Sequence, residues 1–105
     1  MTRFLVTGAS GLLGLNLSVQ ISEQHEVTGV VHQHGLQHAP FQVIQTDLSQ
    51  QGAACELIEM TSPDVVIHCA AMANIDSCES QPEAAMHVNA WVPGEFAKIT
   101  RDKGI

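Results

Sequence analysis

Positive charge is almost missing from this chain. Only 4 Lys and Arg residues stand against 11 Asp and Glu, for a formal charge of -7. Arg3 lies near the start while Lys98, Arg101 and Lys103 crowd the end, which leaves no basic patch for nucleic acid or an anionic membrane. Cysteine is thin as well. Cys55, Cys69 and Cys78 are an odd set without a CxxC pair, which argues against a disulfide framework or a cysteine zinc site and makes the cytoplasm the expected compartment. No apolar run reaches the length of about 18 residues that a membrane span needs, and no basic segment with a small-residue cleavage site precedes the first apolar run, so neither a span nor a signal peptide is expected. What is left, 45% apolar residues in a chain of 105, is an ordinary globular composition, enough for one domain that buries roughly 65% of its unfolded surface around a single core.

The apolar residues are ordered along the chain. Arg3 to Thr7 (RFLVT) is a short run closed by Gly8 and reads as a buried strand. From Gly11 the period changes to three and four: Leu12, Leu13, Leu15, Leu17 and Ile21 share a face, predicting a helix to about Glu23 with that face on the core. His25 to Val31 and Phe41 to Gln45 read as the second and third strands. Ser49 is a candidate cap for a helix from Gln50 to about Met60, which must stop before Pro63. Asp64 to Cys69 (DVVIHC) is nearly continuous in apolar residues and reads as a fourth strand covered on both faces.

Ala70 to Gln81 reads as a polar loop. Pro82 opens a last helix to about Asp102, with Met86, Asn89 or Ala90, Val92, Phe96 and Ile99 toward the core, and Pro93 with Gly94 predicts a kink within it. The alternation predicts an α/β fold, a doubly wound parallel sheet with right-handed crossovers and strand order 3-2-1-4.

The segment VTGASGLLG, residues 6 to 14, carries the chemistry. A pyrophosphate is held well at a helix N-terminus, where backbone N–H groups lack partners and the helix dipole is positive. Gly8 permits a tight turn out of the strand, Gly11 has no Cβ to hold phosphates away, and Gly14 lets the helix pack closely. The spacing is G-x-x-G-x-x-G, and the candidate ligand is a dinucleotide. Asp47 and Leu48 end the third strand, where a carboxylate can accept a hydrogen bond from an adenine amino group while leucine covers the ring. Ala70 and Ala71 end the fourth strand and would line the same crevice. NAD selectivity normally rests on an acid at the end of the second strand; His32 is near that position, and no acid occurs from Val27 to Thr46. A 2′-phosphate would meet no repulsion there, and protonated His32 or His34 can pair with it, so NADP or NAD is expected with the balance toward NADP. His32, His34 and His38 lack a nearby carboxylate or cysteine to complete a metal site and read as solvated loop residues. His68, in an apolar strand, reads as a hydrogen-bonded core residue and Cys69 as a small hydrophobe.

Taken together, VTGASGLLG at 6 to 14, TDL at 46 to 48, PDVVIHCAA at 63 to 71 and NIDSCESQPEAAMHVNAWVPGEFA at 74 to 97 resemble the N-terminal part of the extended short-chain dehydrogenase/reductase family, and within it the dTDP-4-dehydrorhamnose reductases. The resemblance covers essentially the whole chain. It implies a Rossmann-type NAD(P)-binding domain whose N-terminal portion is residues 1–105, ending before a fifth strand. It implies Gly8, Ser10, Gly11, Leu12 and Leu13 around the pyrophosphate, Asp47 and Leu48 at the adenine, and Ala70, Ala71 and Met72 along the ribose and nicotinamide. Asn89 matches the asparagine of the family's VN motif, which supports the active-site geometry. Met72 stands where the family commonly has tyrosine.

The family's YxxxK pair has no counterpart, since the sequence contains no tyrosine and Lys98 and Lys103 match neither role. The resemblance therefore implies the coenzyme-binding part of a nucleotide-sugar oxidoreductase, acting by hydride transfer at a sugar 4-ketone in a longer form and not catalytic over these 105 residues alone. An NAD-dependent epimerase or dehydratase, a non-catalytic regulatory module similar to the regulatory subunit of methionine adenosyltransferase, and a truncated gene product are the alternatives. The DVVIHC strand would lie at an uncovered edge, so dimerisation or aggregation through it is expected.

Overall fold

In the computed structural model, which describes residues 1–105, Arg3–Thr7 forms β1. Leu5 and Val6 at its middle are fully buried on opposite sides of the pleat. The chain passes through α1 (Leu12–Ser22) to β2 (Glu26–Val31), and then to β3 (Gln42–Gln45) beyond it. After α2 (Ala53–Thr61) it returns as β4 (Val65–His68) on the other side of β1. All pairings are parallel, with Leu5 opposite both Thr28 and Val66, and the order is β3-β2-β1-β4. This is the order predicted from right-handed crossovers. It places β1 in the middle, with the carboxyl ends of β1, β2 and β4 side by side.

The core lies on the Leu5 side, where Leu5 and Val30 meet Ala54, Leu57 and Ile58 of α2 and Val92 and Phe96 of the last helix. α1 lies against β1 and β2. Its buried residues are Gly14 and Ser18, while Leu12 is 86% and Leu13 63% exposed. The predicted leucine face is corrected at Leu12 and Leu13, while Leu15, Leu17 and Ile21 are half-buried. The helix starts so close to the turn after β1 that only small side chains fit beneath its first two turns.

Three further predictions are corrected. α2 begins at Ala53, not Gln50, because Ser49 gives its N–H and hydroxyl to Asp47 and the chain turns through Gly52, at φ 82°, before the helix starts. The expected loop from Ala70 to Gln81 contains a short helix, α3 (Ile75–Ser80), capped by the Asn74 side chain accepting from the Ser77 N–H at 2.9 Å. β4 is only partly covered, with Val65 exposed and the other three residues half-buried.

The final helical stretch is built from α4 (Pro82–Met86), a π turn (His87–Trp91) and α5 (Val92–Lys103). Val92 donates its N–H five residues back, to the His87 carbonyl. Pro93 has no N–H for the Asn89 carbonyl, and the widened turn before it absorbs the break expected at the proline. One extra residue in a turn rotates what precedes it by about 100°. Ala85, Val92 and Phe96 therefore face the core, whereas Met86, Asn89 and Ala90, expected there, lie outside it. No helix is long and apolar enough to cross a membrane.

Candidate functional site

The carboxyl ends of β1, β2 and β4 open on one cleft of about 710 Å³. Gly8, Ser10 and Gly11 line it from the turn after β1, His32 from the end of β2, Asp47 and Leu48 from the segment after β3, and Ala70, Ala71 and Met72 from the segment after β4. Four predicted residues stand outside this lining. Leu12 and Leu13 are exposed on the first turn of α1, Gly14 lies beneath the turn, and Asn89 acts from behind. The Asn89 amide brackets one residue of the wall: its Oδ1 accepts the Met72 N–H at 2.7 Å and its Nδ2 donates to the Met72 carbonyl at 2.9 Å.

The glycines differ in what requires them. Gly8 has φ 67°, and a Cβ there would sit 2.7 Å from the Ala70 nitrogen. Gly14 is held more tightly still, since a Cβ would run into the Gly8 carbonyl. Gly11, the N-cap of α1, has no such neighbour: its Cβ would meet only the Gly8 carbonyl oxygen, at 3.4 Å. The space that Gly11 leaves open is therefore cleft, not core. α1 also has no side-chain cap and no acid in its first turn, so the positive end of its dipole faces the cleft uncompensated.

Asp47 accepts the Ser49 hydroxyl at 2.6 Å, the Ser49 N–H at 3.0 Å and the Gln50 amide at 3.3 Å. The Ser49 hydroxyl contributes most to holding this carboxyl below the usual range, and His32, with its Nε2 3.8 Å away, adds a smaller charge effect. Asp47 is thus an anion of fixed orientation.

Beneath the cleft floor, Thr7 Oγ1 accepts the N–H groups of Cys69 at 3.0 Å and Ala70 at 3.2 Å. With its lone pairs so used, the hydroxyl gives its proton to His68 Nδ1, 2.7 Å away. The ring proton of His68 then sits on Nε2, which is buried without a partner. The ring is tilted against Phe96 at 5.2 Å. The expectation of a hydrogen-bonded core histidine is met at one nitrogen only. Burial pulls the His68 pKa below the usual 6.5.

A prediction follows with a definite sign. The unfolded chain takes up a proton near pH 6.5 while folded His68 resists it, so stability from this group is complete above about pH 6.5 and declines as pH falls through the folded pKa. Urea midpoints measured at about pH 7.5 and about pH 5.5 should show a lower value in acid. The difference should shrink in His68→Asn, and an equal difference in that variant would refute the assignment.

Sequence reasoning missed the far wall of the cleft. His87 and Val88 of the π turn, with Ala84 of α4, line it. His87 is stacked on Trp91, ring centroids 4.5 Å apart, and its Nε2 lies 3.1 Å from the Ser49 carbonyl. No regular helical period places these side chains, because the register shift occurs at the π turn itself. His34 lines the cleft and His38 does not, and no group of three or more His, Cys, Asp or Glu side chains is arranged to hold a metal.

A parallel sheet with helices on both faces, a glycine turn leading into α1 and a cleft at the strands' carboxyl ends define an open α/β fold of the Rossmann type. Within that class, the chain belongs to the RmlD substrate binding domain family, whose family model matches residues 2–105. Among curated relatives, a probable low-salt glycan biosynthesis reductase, Agl14, of Haloferax volcanii is 38% identical over 102 residues, 95% of this chain and 33% of that protein. Methionine adenosyltransferase 2 subunit beta of Rattus norvegicus is 38% identical over 98 residues, 91% of this chain and 28% of that protein. The chain thus spans about a third of the length of these relatives.

Among solved structures, a hypothetical dTDP-4-dehydrorhamnose reductase from Sulfolobus tokodaii superposes with a TM-score of 0.84 at 35% identity, covering 94% of this chain and 35% of that one. A UDP-glucose 4-epimerase from Thermus thermophilus, in complex with NAD, reaches 0.83 at 20% identity, over 98% of this chain and 35% of that one, which is a likeness of fold.

Proposed function

We propose that the chain binds a nicotinamide dinucleotide and is the coenzyme-binding part of a nucleotide-sugar reductase, working in the cytoplasm. In this reading the pyrophosphate lies on the turn from Gly8 to Leu13 and is held by Ser10, Gly11 and the first N–H groups of α1. Gly14 keeps that helix close enough to serve. Asp47 and Leu48 receive the adenine, His32 faces its ribose, and Ala70, Ala71 and Met72, the last steadied by Asn89, receive the nicotinamide side. The observation that carries the reading is the contrast among the three glycines: packing demands Gly8 and Gly14, whereas Gly11 faces open cleft at a helix N-terminus. The NAD-bound epimerase of like fold and the sugar reductases among the relatives support it. When bound, the nicotinamide supplies hydride chemistry; this chain's residues supply position.

Gly11→Asp places a side chain and a negative charge in the pyrophosphate path. Titration with NADH or NADPH, followed by nicotinamide fluorescence, should show binding to the native chain and a loss of at least about 100-fold in the variant, the scale of a like charge forced close to a phosphate in a partly enclosed site. Equal affinity in a folded variant would overturn the placement.

A second reading, a nucleotide-binding module without chemistry, is supported by the similarity to a methionine adenosyltransferase subunit. Turnover of a 4-keto nucleotide sugar with NADPH by a longer form that contains this chain separates the two. Self-association through the open edge of β4 belongs to either reading.

A further inference from the structure

We propose that His32 and His34 make coenzyme choice proton-dependent, recognising a 2′-phosphate on the adenosine ribose when protonated and releasing it when neutral. The inference rests on the dinucleotide reading above and adds a selection rule to it.

The end of β2 is where an open α/β fold meets the adenosine ribose. Here that position holds no acid to take the ribose hydroxyls, and no lysine or arginine to pair with a phosphate. The cleft has no lysine, arginine or glutamate in its lining at all. Arg3 lies at the opposite end of β1, and Lys98, Arg101 and Lys103 are on α5. Among residues 1–105, a full positive charge offered to a 2′-phosphate therefore comes from histidine, the side chain whose charge ordinarily changes between about pH 5 and 8. The phosphate monoester keeps most of its double charge above about pH 6, so the partners are both charged in the lower part of that range.

The remaining titratable groups of the cleft give the switch its second half. Asp47 faces His32 across 3.8 Å, and its oxygens are held in place by Ser49 and Gln50. The expectation that a 2′-phosphate meets no repulsion here is corrected by the fold, which brings Asp47 to His32: with the histidines neutral, this fixed anion repels a 2′-phosphate; with His32 protonated, its field is offset. His68 is engaged with Thr7 beneath the floor, His87 is stacked on Trp91 beside the Ser49 carbonyl, and Cys69 lies at the end of β4, so these belong to the other parts of the cleft. The His32 backbone is anchored, its carbonyl accepting the Gln45 amide at 2.7 Å. Its side chain, 56% exposed, can turn from Asp47 toward a ligand.

The test titrates the chain with NADPH and with NADH at about pH 6.5 and about pH 8.5. The ratio of NADPH to NADH affinity should fall about five- to tenfold over that interval, the scale of one or two partly solvated charge pairs. Calorimetry in two buffers of different ionisation enthalpy should show proton uptake with NADPH and not with NADH. The double variant His32→Gln with His34→Gln should lose the pH dependence of the ratio, and His38→Asn, outside the cleft, should keep it. A ratio that does not change with pH while both coenzymes bind overturns the inference and leaves the dinucleotide reading standing. A pH dependence retained in the double variant also overturns it. Failure of both coenzymes to bind the folded chain overturns both.

Discussion

Gly14→Ala is expected to destabilise the chain by about 3 kcal/mol or more, enough to unfold it at ordinary temperature if the fold is marginal. The sign is opposite to the usual one, since alanine for glycine inside a helix ordinarily gains about 1 kcal/mol. Here the new methyl meets backbone on every side: the Gly8 carbonyl, with the Gly8 carbon at 2.8 Å and the Ala9 Cα at 3.2 Å. Backbone in a tight turn cannot rotate away as a side chain can. Gly94 provides the control. It lies in α5 with nothing within 4 Å of an added Cβ, so Gly94→Ala should be neutral or stabilise by up to about 1 kcal/mol. Urea denaturation of the two variants side by side reads both expectations, and a Gly14→Ala chain as stable as the native one would refute the packing argument.

The second large effect is expected at Thr7, which is fully buried. Thr7→Val keeps the shape and removes the hydroxyl. Cys69 retains a longer backbone bond to the Thr7 carbonyl, at 3.3 Å, but the Ala70 N–H and His68 Nδ1 lose the contacts described above. Two part-buried polar groups left without these partners cost about 1–3 kcal/mol together. Thr7→Ser retains the hydroxyl and should recover most of the loss. Beyond stability, the Val variant frees the segment from Cys69 to Met72 on one side, so coenzyme binding should weaken even where the chain stays folded. Full stability in Thr7→Val would show that the hydroxyl does little.

Much of the architecture was legible because its signals are local and periodic. Short apolar runs, the first closed by Gly8 and the fourth preceded by Pro63, marked the four strands to within about one residue at their ends, and the alternation with helices allowed few topologies. Where the reading failed, the determinant was not local. In α1, the leucines suggested a buried face, but what docks against the turn is decided by how near the helix comes to Gly8 and Ala9, and that proximity admits only Gly14 and leaves Leu12 and Leu13 exposed. In the last helix, Pro93 announced a disturbance without saying that it would be met by a π turn before it, which moved Met86 outward and Ala85 inward. α3 was missed although Asn74 and Ser77 have cap spacing, because six residues of helix carry too little periodicity to register.

The site divides in the same way. Gly8, Ser10, Gly11, Asp47 and Ala70 were legible because each sits where a strand ends, and topology brings strand ends together. The hydrogen bond between Thr7 and His68 joins residues 61 apart in sequence, and the contribution of His87 depends on the π register. Neither has a signature within a window of the chain.

That separation has a consequence in time. β1 lies between β2 and β4, yet β4 starts at Val65, so β1 cannot gain its second neighbour until some sixty residues beyond it have been synthesised. Early in synthesis, one side of β1 is without its neighbour while Leu5 and Val6 are already present. Parallel pairing between distant segments closes a long loop before its contacts repay the lost entropy, which makes folding slow and leaves an intermediate open to association. The Thr7–His68 register would therefore be among the last things formed as the chain folds, and the cleft would mature only then.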